Sequence, residues 1–215
     1  MRTSHIIVAG AVLGVFATSP AHATTTEHFN VSGTSVDFFT VTSVTGGPNC
    51  TIDTLVSFNA ATSVQHIGKP GISSGWGGFV QQVDNCAGTQ AFGSFNAPLG
   101  AGSLSTGAHT ATLSASIVIT LDVFDPNFEF VGSVDMTLTA SGLRFDAIQS
   151  ESFVGKIHNR FRFPGFSSTS SGHSNESPAN LSGALTFDGA SLLTDPGSVF
   201  ASFQTSTQIS VTVIK

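Results

Sequence analysis

The chain has 215 residues, with a formal net charge of −6 and few charged side chains, 9% of the total. This acidic balance argues against a nucleic acid or an anionic membrane surface as partner, because either would require a basic face. Hydrophobic residues make up 40% of the chain, so serine, threonine and asparagine must supply most of the polar surface. Such a surface is common on secreted and cell-surface β proteins and is compatible with a fibre subunit.

The first 23 residues have the organisation of a secretory signal peptide. Arg2 precedes an apolar run over residues 6–17, and small residues occupy positions 21 and 23. The run is shorter than the ~20 apolar residues that span a bilayer. We therefore expect the mature protein to begin at Thr24, to form a single all-β domain over residues 24–215 without a transmembrane segment, and to be secreted or held in the periplasm or cell envelope. Its formal charge is −7, since the leader holds one of the seven basic residues and no acidic one.

The N-terminal half of the mature chain contains several short strand signals between glycine, proline and asparagine residues. The predicted strands cover residues 27–32, 35–44, 52–60, 78–83 and 90–95. Cys50 and Cys86 are the two cysteines, and in an oxidising compartment we expect them to form a disulfide.

Trp76 lies between these cysteines, in a Gly- and Ser-rich segment over residues 68–78 that we predict to be a loop. It is the only Trp in a chain with 19 Phe and no Tyr. On an exposed loop its ring could stack on a sugar or anchor a partner. The alternative is a core residue packed at one end of the domain near the disulfide.

The clearest structural signal is a strict alternation over residues 110–123. Apolar residues share one parity there, at Ala111, Leu113, Ala115, Ile117, Ile119, Leu121 and Val123. A turn sequence follows at residues 125–127, and a second alternating run then leads to Ser141-Gly142. This pattern predicts a long β-hairpin with one buried face.

Four oxygen-bearing side chains surround the turn of this hairpin, at Asp122, Asp125, Asn127 and Glu129. Ca²⁺ prefers six to eight oxygen ligands, so calcium is a candidate here. The spacing is not that of a calcium-binding loop, and Asp-Pro-Asn forms turns without a metal. No other cofactor is predicted.

Residues 153–163 form the next predicted strand. His158, Arg160 and Arg162 would lie on one face at intervals of about 7 Å, whereas Ile157, Phe161 and Phe163 would face the core. The planar guanidinium suits carboxylate, sulfate or phosphate groups, so this stripe could bind an acidic polysaccharide. Alternatively, it is a solvated face whose arginines pair with acids on a neighbouring strand.

The C-terminal part contains a predicted loop and two further strands. Residues 167–180 are rich in serine with almost no apolar anchor and predict a long loop, whereas residues 179–187 and 198–214 alternate. About nine or ten strands without a helical period predict an antiparallel β-sandwich or β-barrel. The outer-membrane type is disfavoured because the second face of most strands is Ser and Thr.

These features favour a non-catalytic extracellular or envelope protein that binds a surface or polysaccharide. The first alternative is a secreted hydrolase or lyase acting on polysaccharide or lipid, whose catalytic residues the sequence leaves unknown. The second is a self-assembling fibre subunit. In general outline the early disulfide and the alternating final run, residues 208–215, resemble chaperone-assembled pilin subunits, although the Tyr usual near their C-terminus is absent.

Overall fold

The computed structural model describes residues 25–67, 69–99, 102–194 and 199–214, and the predicted leader lies outside these ranges. In the described residues the chain forms eleven β-strands and one short 3₁₀ helix between β7 and β8. The strands are β1 Thr25–Gly47, β2 Cys50–Ile67, β3 Lys69–Asp84, β4 Thr89–Pro98, β5 Ser103–Thr106, β6 Thr110–Phe124, β7 Phe130–Ala147, β8 Phe153–Phe163, β9 Phe166–Phe187, β10 Ala190–Ser191 and β11 Val199–Ile214.

All strands belong to one antiparallel sheet that closes on itself. Eight strands form the ring, in the order β1-β2-β3-β4-β6-β7-β9-β11 and back to β1. Outside the ring, β5 pairs with β6, and both β8 and β10 pair with β9. The predicted all-β antiparallel fold is confirmed, and between sandwich and barrel the structure selects ring-like closure.

The long hairpin predicted from the alternation is confirmed as β6 and β7. Ala111, Leu113, Ile119 and Leu121 are buried on the inner face of β6, as period two requires. The prediction that the hairpin ends at Ser141-Gly142 is wrong, because β7 continues to Ala147. A register shift and the left-handed Gly142 (φ +57°) let the strand bend there without losing its partner β9.

The core fills the interior of the ring with alternating side chains from every strand of the ring. An aromatic row crosses four neighbouring strands, with ring centroids 5.0 Å apart between Phe38 and Phe58, 6.0 Å between Phe58 and Trp76, and 5.2 Å between Trp76 and Phe95. Gly78 makes room for this row, since a Cβ there would lie 2.7 Å from the Phe58 Cα. Offset and edge-to-face contacts of this kind stabilise a core beyond simple area burial.

A disulfide joins Cys50, the first residue of β2, to Cys86 in the turn after β3. This confirms the predicted pairing, and the bond indicates an oxidising compartment. Among the described residues, no helix has the length and apolar character needed to cross a bilayer.

Both segments predicted to be loops are strands, so these predictions are wrong. Residues 167–180 lie inside β9, and residues 69–78 lie inside β3. Serine and glycine have low strand propensity, but in both segments the backbone groups are paired with neighbouring strands, with β8 and β11 for most of the first segment. Tertiary pairing therefore overrides local propensity.

Replacing Phe38 tests where the core lies. Its side chain is 1% exposed, whereas Phe39, next along the same strand, is 38% exposed on the opposite face. Phe38→Ala should lower the free energy of unfolding by roughly 3–5 kcal/mol, as expected for a buried Phe. Phe39→Ala should cost only about 1 kcal/mol. Equal losses in urea unfolding would contradict the inner and outer faces assigned to β1.

The disulfide should stabilise the fold by restricting the unfolded chain. The two cysteines are 36 residues apart, and closing a loop of this size is worth roughly 4 kcal/mol in the chain-entropy model. A Cys50→Ala/Cys86→Ala variant should lose stability of this order in urea unfolding while keeping its β circular dichroism spectrum. An unchanged unfolding midpoint would contradict this role.

Candidate functional site

The most exposed strand pair in the described structure is the hairpin formed by β8 and residues 166–176 of β9, which we call the basic arm. β8 pairs with β9 along its whole length and forms an edge of the sheet. Of its eleven residues, all except Gly155 are exposed. The arm therefore extends beyond the pairing of β7 with β9, and its strand β8 has both faces and one backbone edge open to solvent, whereas most of residues 166–176 are half-buried beside β11.

One face of the arm is basic. The strand register places Lys156, His158, Arg160 and Arg162 on the same face, the one that continues the interior of the ring through Ser177 of β9. Consecutive members of this column are about 7 Å apart, since each is two residues from the next. The sequence prediction that His158, Arg160 and Arg162 share a face is in agreement with this register.

No acidic residue lies opposite this column on β9. Lys156, His158, Arg160 and Arg162 are opposite His173, Ser171, Thr169 and Ser167, respectively. The salt bridge that forms within the described part of the chain joins Arg144 to Asp146, with 2.7 Å between Nη2 and Oδ1, and includes no residue of the arm. The arginines of the arm thus lie on a solvated strand face, as the alternative from the sequence expected, but no acid of β9 lies opposite them.

A third column, on β11, completes the basic face. Ile209, Val211 and Val213 pair with Ser171, Thr169 and Ser167. Across three strands the surface therefore changes from cations to hydroxyls to aliphatic side chains, and Ile209 is 46% exposed. Such a surface can offer charge-assisted hydrogen bonds, neutral hydrogen bonds and apolar contact to one ligand.

The opposite face of the arm is aromatic and exposed. Ile157, Phe161 and Phe163 are 61%, 56% and 64% exposed, so the prediction that they face the core is wrong. The sequence correctly places these three residues on one face of the strand. That face is exposed because the arm lies beyond the ring, where no second layer covers it. Phe163, Phe166 and Ile214 form an apolar row beside the Pro164-Gly165 turn at the tip.

Trp76 occupies the core rather than a loop. It is 3% exposed and packs edge-on against both Phe58 and Phe95. Its ring is thus not presented to solvent for stacking on a sugar, and the structure agrees with the alternative of a core residue.

The four residues considered for calcium form a hydrogen-bonded turn. The Asp125 carboxylate accepts backbone N–H groups from Asn127 at 2.8 Å and Glu129 at 2.9 Å. The Glu129 N–H, followed by the groups of Asn127, holds the pKa of Asp125 below its ordinary value. Asp122 accepts a hydrogen bond from the Ser133 hydroxyl at 2.9 Å. The described residues contain no group of three or more His, Cys, Asp or Glu that could hold a metal ion.

A shallow groove of about 680 Å³ on the outer face of β2, β3 and β4 was not anticipated from the sequence. Gly75 and Gly77 form its floor, and Asn59, Ser63 and Asn96 lie along its sides. The Asn59 side-chain amide already donates a hydrogen bond to the Asp37 carboxylate, with 2.8 Å between Nδ2 and Oδ1. The glycines on either side of Trp76 were the sequence signal for this groove. Two glycines on the same face of a strand have no side chains and so leave a trough in that face.

Comparisons with family models, with curated proteins and with solved structures found no match for this chain.

The intrinsic fluorescence should report on Trp76 alone, since the chain has one Trp and no Tyr. We expect a blue-shifted emission maximum and weak quenching by iodide in the folded protein, because the indole lies in the core. Unfolding in guanidinium should shift the emission to the red. Strong iodide quenching of the folded protein would contradict the burial of this side chain.

Proposed function

We propose that this is a non-catalytic protein of the cell exterior that binds an acidic polysaccharide through its basic arm. The observation that carries the proposal is the column of Lys156, His158, Arg160 and Arg162 on an otherwise acidic protein, with no acid opposite it on β9. Leaving several cations unpaired on one strand face has an electrostatic cost that binding of an anion would offset.

The chemistry of the neighbouring columns favours a carbohydrate over a simple anion. Arginine binds carboxylate and sulfate through two parallel N–H groups. Ser167, Thr169 and Ser171 add hydroxyls in register with the cations, and these can exchange hydrogen bonds with sugar hydroxyls. An acidic polysaccharide offers both kinds of group repeatedly along its length.

The openness of the arm favours binding over catalysis. Catalytic sites are usually concave and exclude water, so that electrostatic interactions within them are strong. Strand β8 of the arm instead presents exposed side chains on both of its faces, at an edge of the sheet. Extended open surfaces suit long polymers, since many weak contacts can act together.

Location outside the cell is supported by two features. The disulfide between Cys50 and Cys86 belongs to an oxidising compartment. The first 23 residues have the pattern of a secretory leader.

Polymer binding can be measured directly with immobilised acidic and neutral polysaccharides. The protein should be retained on the acidic polymers and released as the salt concentration rises. Salt screens the attraction between the exposed arginines and the anionic groups of the polymer. Arg160→Ala/Arg162→Ala should weaken binding at least roughly ten-fold by removing two charge-assisted contacts. The affinity of the Arg160→Lys/Arg162→Lys variant should lie between those of the parent and the alanine variant. Lysine keeps the charge but lacks the planar guanidinium that donates two parallel hydrogen bonds.

Arg144→Ala is the matched control, because Arg144 is also exposed but is paired with Asp146 away from the arm. It should bind like the parent protein. Equal binding to neutral polymers, or equal loss in the Arg144 and arm variants, would refute the proposal. Release of reducing sugar in the same samples would instead favour the alternative of a secreted hydrolase.

A further inference from the structure

Seven of the twelve acids in the described ranges lie toward one end of the ring, and the lysines and arginines lie away from it. The other five acids, Glu27, Asp37, Asp146, Glu151 and Glu176, lie outside this end. This end, which we call the acidic end, carries the turns between β1 and β2, β3 and β4, β6 and β7, and β9 and β10. The acids in or next to these turns are Asp53, Asp84, Asp122, Asp125, Glu129, Asp135 and Asp188. The lysines and arginines in the described ranges all lie toward the other end, at Lys69, Arg144, Lys156, Arg160 and Arg162.

Two carboxylates of the acidic end, those of Asp53 and Asp125, accept hydrogen bonds that favour their charged form. The Ser43 hydroxyl and then the Asn85 amide lower the pKa of Asp53, and the backbone N–H of Glu129 lowers that of Asp125.

The acidic end also exposes aromatic side chains. Phe92, Phe124 and Phe130 form a chain of edge-to-face contacts, each with ring centroids 6.0 Å apart. Phe128 at the turn is 66% exposed and has a left-handed backbone (φ +62°), where Gly or Asn would be less strained. A large aromatic residue kept in such a position presents its ring to solvent at the extreme tip of the hairpin.

The basic arm presents the matching combination at the other extreme of the molecule. β7 and β8 pair in succession with one edge of β9, whose 22 residues extend about 70 Å. The β6–β7 turn and the arm tip therefore lie far apart at opposite ends. Both display exposed phenylalanine, which lies beside carboxylates at the acidic end and on the face opposite to the arginines at the arm.

We propose that the acidic end of one copy of this chain docks on the basic arm of a second copy. Opposite charges would set the orientation, and Phe128 and Phe130 would meet the aliphatic column of β11, which lies on the same face as the arginines of the arm. Because the two surfaces differ and lie at opposite ends, the contact is head-to-tail and leaves a free surface at each end of every oligomer. Further copies can therefore bind at either end, so the oligomers are linear chains rather than closed rings. The inference does not depend on polysaccharide binding, although an acidic polymer on the arm would compete with the neighbouring copy.

Sedimentation velocity of the purified mature protein, without polymer, tests the contact. Oligomers should grow with protein concentration at low salt and shorten as salt rises. Two variants reverse the charge of one surface each, namely Arg160→Glu/Arg162→Glu on the arm and Asp122→Lys/Glu129→Lys/Asp135→Lys/Asp188→Lys at the acidic end. Each alone should weaken association at least roughly ten-fold, since like charges then face each other.

Mixing the two charge-reversed variants should restore oligomers. In the mixture each native surface meets its native partner, and the reversed arm meets the reversed end, so complementary pairs form at every contact. Two unfolded or merely unstable proteins would not regain association when mixed. Failure of the mixture to associate would therefore overturn the proposal.

Phe128→Asn removes the aromatic side chain and relieves the left-handed backbone strain at the same position. It should fold at least as stably as the parent protein but associate at least roughly ten-fold more weakly. Association unaffected by this variant would overturn the proposal. So would a parent protein that stays monomeric at high concentration, and flotation of that monomer with anionic phospholipid vesicles would then assign the arm to a lipid surface.

Discussion

The structure depends on the way that β9 divides its hydrogen bonds. One edge of this strand pairs with β11, and the other pairs with β7 over residues 179–187 and with β8 over residues 166–176. The pairing with β7 closes the ring and so creates an interior. The pairing with β8 continues beyond the ring, where no second layer faces it. A single long strand thus contributes to both the packed core and the exposed arm.

Closure also determines where the charges lie. In an up-and-down ring, alternate turns collect at the same end. The acids near the turns at residues 48–49, 85–88, 125–129 and 188–189 therefore lie toward one end although they are far apart in sequence. The cations lie along strands that run toward the other end. The proposed polymer binding and the proposed contact between copies both follow from this separation, because each requires a basic surface without nearby acids.

Part of this arrangement could be predicted from the sequence. The hairpin at β6 and β7 was predictable because its alternation is strict, and the disulfide was predictable because two cysteines accompany a predicted leader. The common face of His158, Arg160 and Arg162 followed from period two. The outward direction of Phe161 and Phe163 did not, since parity tells which residues share a face but not which face is covered.

The remaining errors have one physical origin. Serine-rich residues 167–180 and glycine-rich residues 69–78 become strands because adjacent strands supply their hydrogen bonds, a condition that no local window contains. Trp76 is buried for a related reason, because strand β3 places alternate residues inside the ring. The acidic end was equally hidden, since it assembles from four turns that are separated in sequence.

The central claim is that β9 pairs in register with both β7 and β8, and engineered cysteine pairs test it most directly. Thr139→Cys/Thr186→Cys joins opposite residues of β7 and β9, and Asn159→Cys/Ser170→Cys joins opposite residues of β8 and β9. Opposite residues have Cα atoms about 4.5–5.5 Å apart, within disulfide reach. Both pairs should oxidise readily, whereas the diagonal pair Asn159→Cys/Ser168→Cys should not. Cross-linking at Thr139 and Thr186 without cross-linking at Asn159 and Ser170 would show that the arm does not form as described, and failure of both would contradict the closed ring itself.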